Sequence, residues 1–411
     1  MSTTMGRDGC VYVAGTFDTK HDELFYIDHC LKKSGMKVVT ADLGTQGPTE
    51  SSTTDYSAEH IASHHPDGAT SVMALTDRGE AIAAMAVAFD IFLTSRDDIA
   101  GVIGAGGSGG TALLAPALRN LPIGVPKLII STVASGNVAP YVGASDLTLM
   151  YSVTDVEGLN RISRQVLGNA AHAMAGMVAH ASSIDSSGER SAIGLSMFGV
   201  TTPCVKAVTA ELEKHHDCLV FHATGTGGMS MEKLADSGLI DAVLDLTTTE
   251  IADLLVGGVF AATHDRMGAV IRTGCPYVGS LGALDMVNFG EFDTVPQQFR
   301  NRQFHIHNPQ VTLMRTSVEE NREIGRWIAD KLNAMQGDVR FLIPEKGLSL
   351  LDAEGQAFFD PIADAALFDT LEQHVIQTEK RQLIRVPANI NDAEFAKAVL
   401  GHFGDITDST R

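Results

Sequence analysis

Five glycines fall within eight residues in Gly104-Ala-Gly-Gly-Ser-Gly-Gly-Thr111. Without side chains in the way, a main chain can approach a ligand closely and aim several N–H groups at one anion, so this run reads as a phosphate cradle. Its spacing follows the P-loop pattern G-x-x-x-x-G-K-[ST], except that Gly110 stands where the lysine belongs. Without that charge the standard P-loop hydrolysis apparatus is not expected, and Gly106, Gly107, Ser108, Gly109 and Thr111 are read as phosphate ligands. The same stretch contains Gly106-Gly-Ser-Gly-Gly110, a G-x-S-x-G match that offers Ser108 as the nucleophile of a hydrolase. Asp285 and His305 lie downstream, but no spacing selects them as its partners.

Other segments carry hydroxyls and carboxylates where strands should end. Gly15-Thr-Phe-Asp-Thr-Lys20 offers Thr16, Asp18, Thr19 and Lys20 ahead of a helix whose N-terminus suits an anion, although Asp18 or Thr19 would also serve as a simple cap. Asp42 stands where nucleotide-binding folds place an acid against ribose hydroxyls, or it is a turn residue; no G-x-G-x-x-G precedes it. Ser131-Thr-Val-Ala-Ser-Gly136 adds Ser131, Thr132, Ser135 and Gly136 as a phosphate or ribose wall. Later, His222-Ala-Thr-Gly-Thr-Gly-Gly228 is a second anion-loop candidate, and Glu250, Asp285, His305 and His307 complete the titratable set. If extended, His305 and His307 share a face and could bind a metal with Asp285 or Glu291, although packing or hydrogen bonding is the commoner role for such histidines. His64-His65 and His215-His216 read as surface features, Glu319 to Arg326 as the solvated side of a helix, and Trp327 as core.

Strand and helix patterns must position these loops. Strands are predicted at 10–14, 37–41, 99–103 and 126–130, with helices at 21–34, 112–118 and 158–181. Beyond a polar stretch the pattern restarts, with strands at 192–199, 218–222, 242–246, 276–281, 304–306 and 382–386 and helices at 203–214 and 392–403. Sliding the chain by 181 residues lays Val11–Gly44 on Ala192–Gly225 without a gap, which suggests either a duplicated plan or two generic βαβ units. The expected fold is α/β: two Rossmann-like domains with largely parallel sheets flanked by helices, at 1–182 and 192–411, joined by a linker at 183–191.

Composition limits the partners. With 30 Lys plus Arg against 50 Asp plus Glu, the net charge of −20 has the wrong sign for a general nucleic-acid or anionic-membrane binder. The first residues lack a secretory pattern and no apolar stretch is long enough to span a bilayer, so a cytoplasmic location is expected. Five cysteines without a C-x-x-C pair predict reduced thiols.

Taken with Met197-Phe-Gly-Val-Thr-Thr-Pro203, Phe221-His-Ala-Thr-Gly225, Asp245-Leu-Thr-Thr-Thr-Glu250 and Val287-Asn-Phe-Gly290, the three loops of the first half resemble, over nearly the whole chain, the ATP-binding domain family of the tomato mosaic virus resistance protein. Phe17 departs from the leucine associated with the first motif. The resemblance implies paired Rossmann-like domains, ATP bound by the first, and self-association into a homo-oligomer. In the plant member a further TIM-barrel-like domain follows, so no antiviral role is carried over. The resulting expectation is a cytoplasmic ATP-binding protein, with Mg²⁺ as a companion ion. Its catalytic form is an ATP-dependent enzyme acting on a small metabolite at an interdomain cleft through His222, Glu250, Asp285, His305 and His307. The alternatives are a non-catalytic metabolite-binding regulator and a Ser108 hydrolase.

Overall fold

The computed structural model describes residues 9–45, 54–181 and 190–407, and the chain divides into two compact units, Met1–Gly188 and Glu189–Arg411. Of the expected linker, residues 183–189 lie outside the described residues.

The N-terminal unit runs β1 (Cys10–Gly15), α1 (Phe17–Lys33), β2 (Val38–Asp42), the short helices α2 (Ala58–Ala62) and α3 (Ala69–Met73), α4 (Arg78–Thr94), β3 (Ile99–Gly106), α5 (Ser108–Asn120), β4 (Lys127–Ser131), α6 (Ala139–Val142), β5 (Thr148–Tyr151) and α7 (Arg161–Ala179). Its five strands are parallel in the order β2-β1-β3-β4-β5. Alternate residues of β1 point to opposite faces. Val11 and Val13 join Ile103, Leu128 and Ile130 under α1 and α7, while Tyr12 and Ala14 join Val102 and Ile129 under α4 and α5. A sheet buried on both faces is the physical reason these strands read as continuous apolar runs. Helix α7 fills one of these faces, so its Ala- and Met-rich stripe is core of its own domain.

The C-terminal unit runs β6 (Ala192–Met197), α8 (Thr202–Leu212), β7 (Asp217–His222), α9 (Thr226–Asp236), β8 (Ala242–Thr247), α10 (Thr249–Val256), α11 (Gly268–Thr273), β9 (Tyr277–Gly282), β10 (Met286–Phe289), β11 (Phe304–Asn308), β12 (Val311–Arg315), α12 (Val318–Ala334), β13 (Val339–Pro344), α13 (Pro361–His374), β14 (Arg381–Val386) and α14 (Ala393–Thr407). Six of these strands are parallel in the order β14-β13-β9-β8-β6-β7, and β10, β12 and β11 form a small antiparallel sheet. In each unit the first strand lies between the second and the third, so the 181-residue offset relates two stretches of the same strand order, as either a duplicated plan or two generic βαβ units would give.

Several bounds differ from the sequence pattern. The segment Gly15–Lys20 is already helical from Phe17, and Lys20 (φ −128°, ψ 30°) marks a kink rather than a start. Most of the glycine run is not loop either: Gly104–Gly106 belong to β3 and Ser108–Thr111 to α5. Strands β5, β10, β12 and β13 were not anticipated. Trp327 is half-buried, not core, with the Lys331 ammonium 5.0 Å above its ring.

Candidate functional site

In an open parallel sheet, ligands collect beyond the strand carboxyl ends where the strand order reverses. In the N-terminal unit that point lies between β1 and β3, so it faces the start of α1 and the start of α5. The register brings Ala14 beside Gly104, Gly15 beside Asp42 and Gly106 beside Ser131. Every nucleotide-site residue expected in the first half therefore sits along one sheet edge.

The individual residues divide into braces and open groups. Asp42, 8% exposed, accepts from the Phe17 N–H (3.1 Å) and the Gly44 N–H (2.8 Å) through Oδ1. Burial pushes its carboxyl up, against those two bonds, and the charge of Asp18 adds to the rise. Asp18 in turn accepts from the Thr45 N–H (3.1 Å), and a Cβ on Gly44 would press on both carboxylates. Asp42 thus pins the first turn of α1. Thr16 and Thr19 join hydroxyls at 2.8 Å in an exposed position. Thr111, fully buried, donates to or accepts from Ser131 at 2.6 Å and bonds the Gly107 carbonyl at 2.8 Å, tying the first turn of α5 to the end of β4. Ser131 also accepts from the Val133 N–H (3.1 Å).

Among the described residues no side chain caps α5. The N–H groups of Ser108, Gly109 and Gly110 have no partner within their own helix, as at any helix start. Among the glycines around them, Gly104 is demanded by packing, because a Cβ there would strike the Ala14 carbonyl and Leu114, and a Cβ on Gly106 would crowd Gly110 at 3.1 Å. Gly107, Gly109 and Gly110 are different. None has positive φ, a Cβ on Gly107 would meet only the Thr132 hydroxyl at 3.7 Å, one on Gly110 would meet the Ala105 carbonyl at 3.8 Å, and one on Gly109 would touch the flexible tip of Ile82 at 3.1 Å. Ser108 is exposed at this helix start and its hydroxyl bonds no histidine or carboxylate among the described residues. Ser135 and Gly136 are exposed at the end of the 3₁₀ turn Thr132–Ser135 that follows β4.

The C-terminal unit treats its own edge differently. Glu250, fully buried in the first turn of α10, accepts from the Gly225 N–H (2.6 Å) and Gly228 N–H (3.1 Å) through Oε1. Its other oxygen meets Arg266 at 3.1 Å. The second anion-loop candidate is therefore filled by a carboxylate of the protein itself. Arg266, 2% exposed, also pairs with Asp245 (2.7 Å) and Glu232 (2.8 Å), while Tyr277 and Ser196 donate to Asp245. Burial pushes the Glu232 and Glu250 carboxyls up against the pull of Arg266.

Asp285 belongs to a second enclosed group. It accepts from Ser349 at 2.8 Å, and its Oδ1 is buried without a hydrogen-bond donor among the described residues. Burial, with Asp352 nearby, raises it to about 7. Arg315 bonds Asp364 at 2.6 Å and lies 3.6 Å from Asp352; burial and Asp352 raise Asp364 to about 8. Residues 347–351 cross the ends of β6 and β9, where Leu350 donates to the Val200 carbonyl and Ala283 to that of Leu348.

The five residues expected to act catalytically are thus dispersed. Glu250 and Asp285 are 0% exposed and lie in separate ion-pair networks. His222 is exposed at the end of β7 with its ring 5.4 Å from Phe198. His305 and His307 lie on β11, whose register shifts between Ile306 and Asn308, so regular alternation does not carry through His307. Among the described residues no three His, Cys, Asp or Glu side chains could together hold a metal, the cysteines are free thiols, and no helix is long and apolar enough to cross a membrane. Sequence reasoning passed over Arg78, whose guanidinium reaches to 3.7 Å from where a Gly109 Cβ would stand. Nothing local marks it, since it lies 31 residues before Gly109 on another helix.

Comparison with known proteins matches residues 9–183 to the N-terminal domain and 190–407 to the C-terminal domain of an uncharacterised protein family, UPF0261. A UPF0261 protein of Rhizobium meliloti is 54% identical over 97% of this chain and 99% of its own. The ToMV resistance protein Tm-1 of Solanum lycopersicum is 45% identical over 100% of this chain but 57% of its own length, and the ToMV susceptible protein of the same plant is 44% identical over 98% and 56%.

Proposed function

This chain belongs to the uncharacterised protein family UPF0261, and we propose that its N-terminal domain binds ATP at the carboxyl edge of its sheet. One observation carries the reading: Gly107 and Gly110 meet neither a conformational nor a packing need, and what their missing side chains leave open is the start of α5, which no side chain of the described residues caps. A helix start of this kind, at a strand-order reversal, suits a phosphate chain. The Ser108, Gly109 and Gly110 N–H groups bind the phosphates, and Thr132 and the Thr16–Thr19 pair face the rest of the nucleotide. Asp42 supports this edge by fixing α1 rather than by meeting ribose. Thr111 has its hydroxyl engaged by Gly107 and Ser131, so Mg²⁺ would arrive on the phosphates with its own waters rather than through the P-loop hydroxyl.

The reading is one of binding. Glu250 and Asp285, which a phosphotransfer to a small metabolite would have needed in contact with substrate, are enclosed by protein. A regulator that senses a nucleotide fits this better than a kinase-like enzyme. Resistance to virus is not part of the reading, since the resistant and susceptible tomato proteins resemble this chain to nearly the same degree. Cytoplasmic residence and self-association complete it, the latter checked by light scattering of the full chain.

The test is isothermal titration of ATP into the full chain and into Gly107→Asp, which sets a carboxylate among the phosphate-binding amides. A loss of at least about tenfold in affinity is expected, since one unfavourable charge contact is worth 1.4 kcal/mol or more. Unchanged affinity in the variant removes the assignment.

A further inference from the structure

Between the end of β13 at Pro344 and the start of α13 at Pro361, residues 345–360 run without helix or strand. Connections this long and irregular are uncommon in a compact domain and tend to be functional. This one lies over the carboxyl edge of the C-terminal sheet, the edge at which open α/β sheets take ligands. Leu350 donates to the Val200 carbonyl (3.0 Å) beyond β6, and the Leu348 carbonyl accepts from the Ala283 N–H (2.9 Å) beyond β9. Ala283 holds a left-handed backbone (φ 58°) that an L side chain adopts at a cost, so this fastening point is itself strained. Phe358 is fully buried against Phe198, Val200, Met286 and Leu313, while Leu350 stays 48% exposed.

We propose that residues 345–360 are a lid over the C-terminal sheet, latched by protons held among Asp285, Asp352 and Asp364, and that loss of these protons releases it. The proposal goes beyond the nucleotide reading and does not depend on it. The latch joins the lid to three other elements. Ser349 on the lid donates to Asp285 beyond β9 (2.8 Å), and Asp352 on the lid meets Asp364 in the first turn of α13. Arg315 at the end of β12 bonds Asp364 (2.6 Å), lies 3.6 Å from Asp352 and donates to the lid's Phe358 carbonyl (2.7 Å). One guanidinium thus faces three enclosed carboxyls, and their charges balance only if carboxyls keep protons. The geometry agrees, since two carboxyls in contact bond each other only when one is protonated, and Asp285 and Asp352 each bury an Oδ1 without a donor among the described residues. The other charges nearby, Glu345, Lys346 and Arg385, line a cleft of about 200 Å³ with Asp364, and Arg385 is already paired with Glu345, Asp369 and Glu372. Burial, reinforced by the charge of Asp352, raises Asp285 to about 7 and Asp364 to about 8, and burial raises Asp352 as well. An opened lid returns these groups to water, where a carboxyl titrates near 4. Closure is therefore at full strength below about pH 4 and is lost as pH climbs through 7 to 8.

The test is amide hydrogen exchange of the full chain, read by mass spectrometry between about pH 6 and pH 9 and corrected for intrinsic exchange. Peptides covering residues 345–360 are compared with peptides from α12, whose Ile324, Ile328 and Leu332 belong to the core of the same unit. Protection of the lid amides is expected to fall at least about tenfold across this range, because each proton released only on opening is worth up to tenfold per pH unit, while α12 changes less. In Asp285→Asn and Asp364→Asn, whose amides cannot ionise, the fall is expected to shrink, with circular dichroism confirming each fold. Lid protection that stays constant with pH, or that falls only in step with α12, overturns the proposal, and the wild-type comparison decides this even where a variant does not fold. A fall of undiminished size in both folded variants also overturns it.

Discussion

A missing side chain means different things at different glycines of this chain. At Gly227 a Cβ would overlap the His222 carbonyl, and at Gly228 it would overlap the Glu250 carboxylate, so the fold needs both positions bare. At Gly107 no such demand exists. Gly227→Ala is therefore expected to destabilise by about 3 kcal/mol, and Gly107→Ala to stay within about 0.5 kcal/mol of wild type. Urea denaturation separates the two. A second residue-scale consequence concerns pH. Asp253, Asp285 and Asp364 are raised by burial to about 7, 7 and 8, whereas in an unfolded chain a carboxyl titrates near 4. Their raised folded values mean that the associated stability is full below about pH 4 and is lost as pH climbs through 7 to 8, because the unfolded chain releases protons that the folded one retains. The one tryptophan, Trp327, reports on this unit. Its fluorescence should give a lower urea midpoint at pH 8 than at pH 5, and Asp285→Asn should shrink the difference; a midpoint that rises with pH contradicts the assignment.

At the scale of elements, Arg266 is the device that fastens the C-terminal unit. One guanidinium joins Asp245 on β8, Glu232 on α9 and Glu250 on α10, and Tyr277 on β9 closes the group through Asp245. Arg266→Met would leave three carboxylates buried without a cation and is expected to cost about 3–5 kcal/mol or more, measured as a fall in denaturation midpoint. Glu250→Gln keeps its shape and one acceptor for Gly225 and Gly228, and should cost less. These networks also explain what sequence pattern could and could not convey. Strands β1, β3, β4, β8 and β9 were legible because each is buried on both faces and carries a largely apolar run, and the candidate site edge was legible because glycines and hydroxyls follow those strands directly. Strand β5 was missed because it is a half-exposed edge, and β13 because Arg340 and Pro344 interrupt its apolar run. Glu250 looked reactive because a carboxylate after a strand reads alike whether it faces solvent or the amides of a neighbouring loop. Only the third dimension brings Arg266 against it, or Arg78 against Gly109.

For the molecule as a whole, the two units share the order of their first three strands and differ in what occupies the carboxyl edge of each sheet. The C-terminal unit fills its glycine turn with Glu250 and lays residues 347–351 over the neighbouring strand ends. The N-terminal unit keeps the start of α5 without a side-chain cap among the described residues. By the 181-residue offset the Gly225 turn corresponds to the Gly44 turn, where Asp42 likewise accepts from a main-chain N–H. The most direct measurement is a crystal structure of the full chain grown with a non-hydrolysable ATP analogue. The account predicts phosphate oxygens about 3 Å from the Ser108, Gly109 and Gly110 nitrogens, with the Gly225–Gly228 turn still held by Glu250. A nucleotide bound at the C-terminal turn, or anywhere that leaves the α5 amides without phosphate, would contradict it.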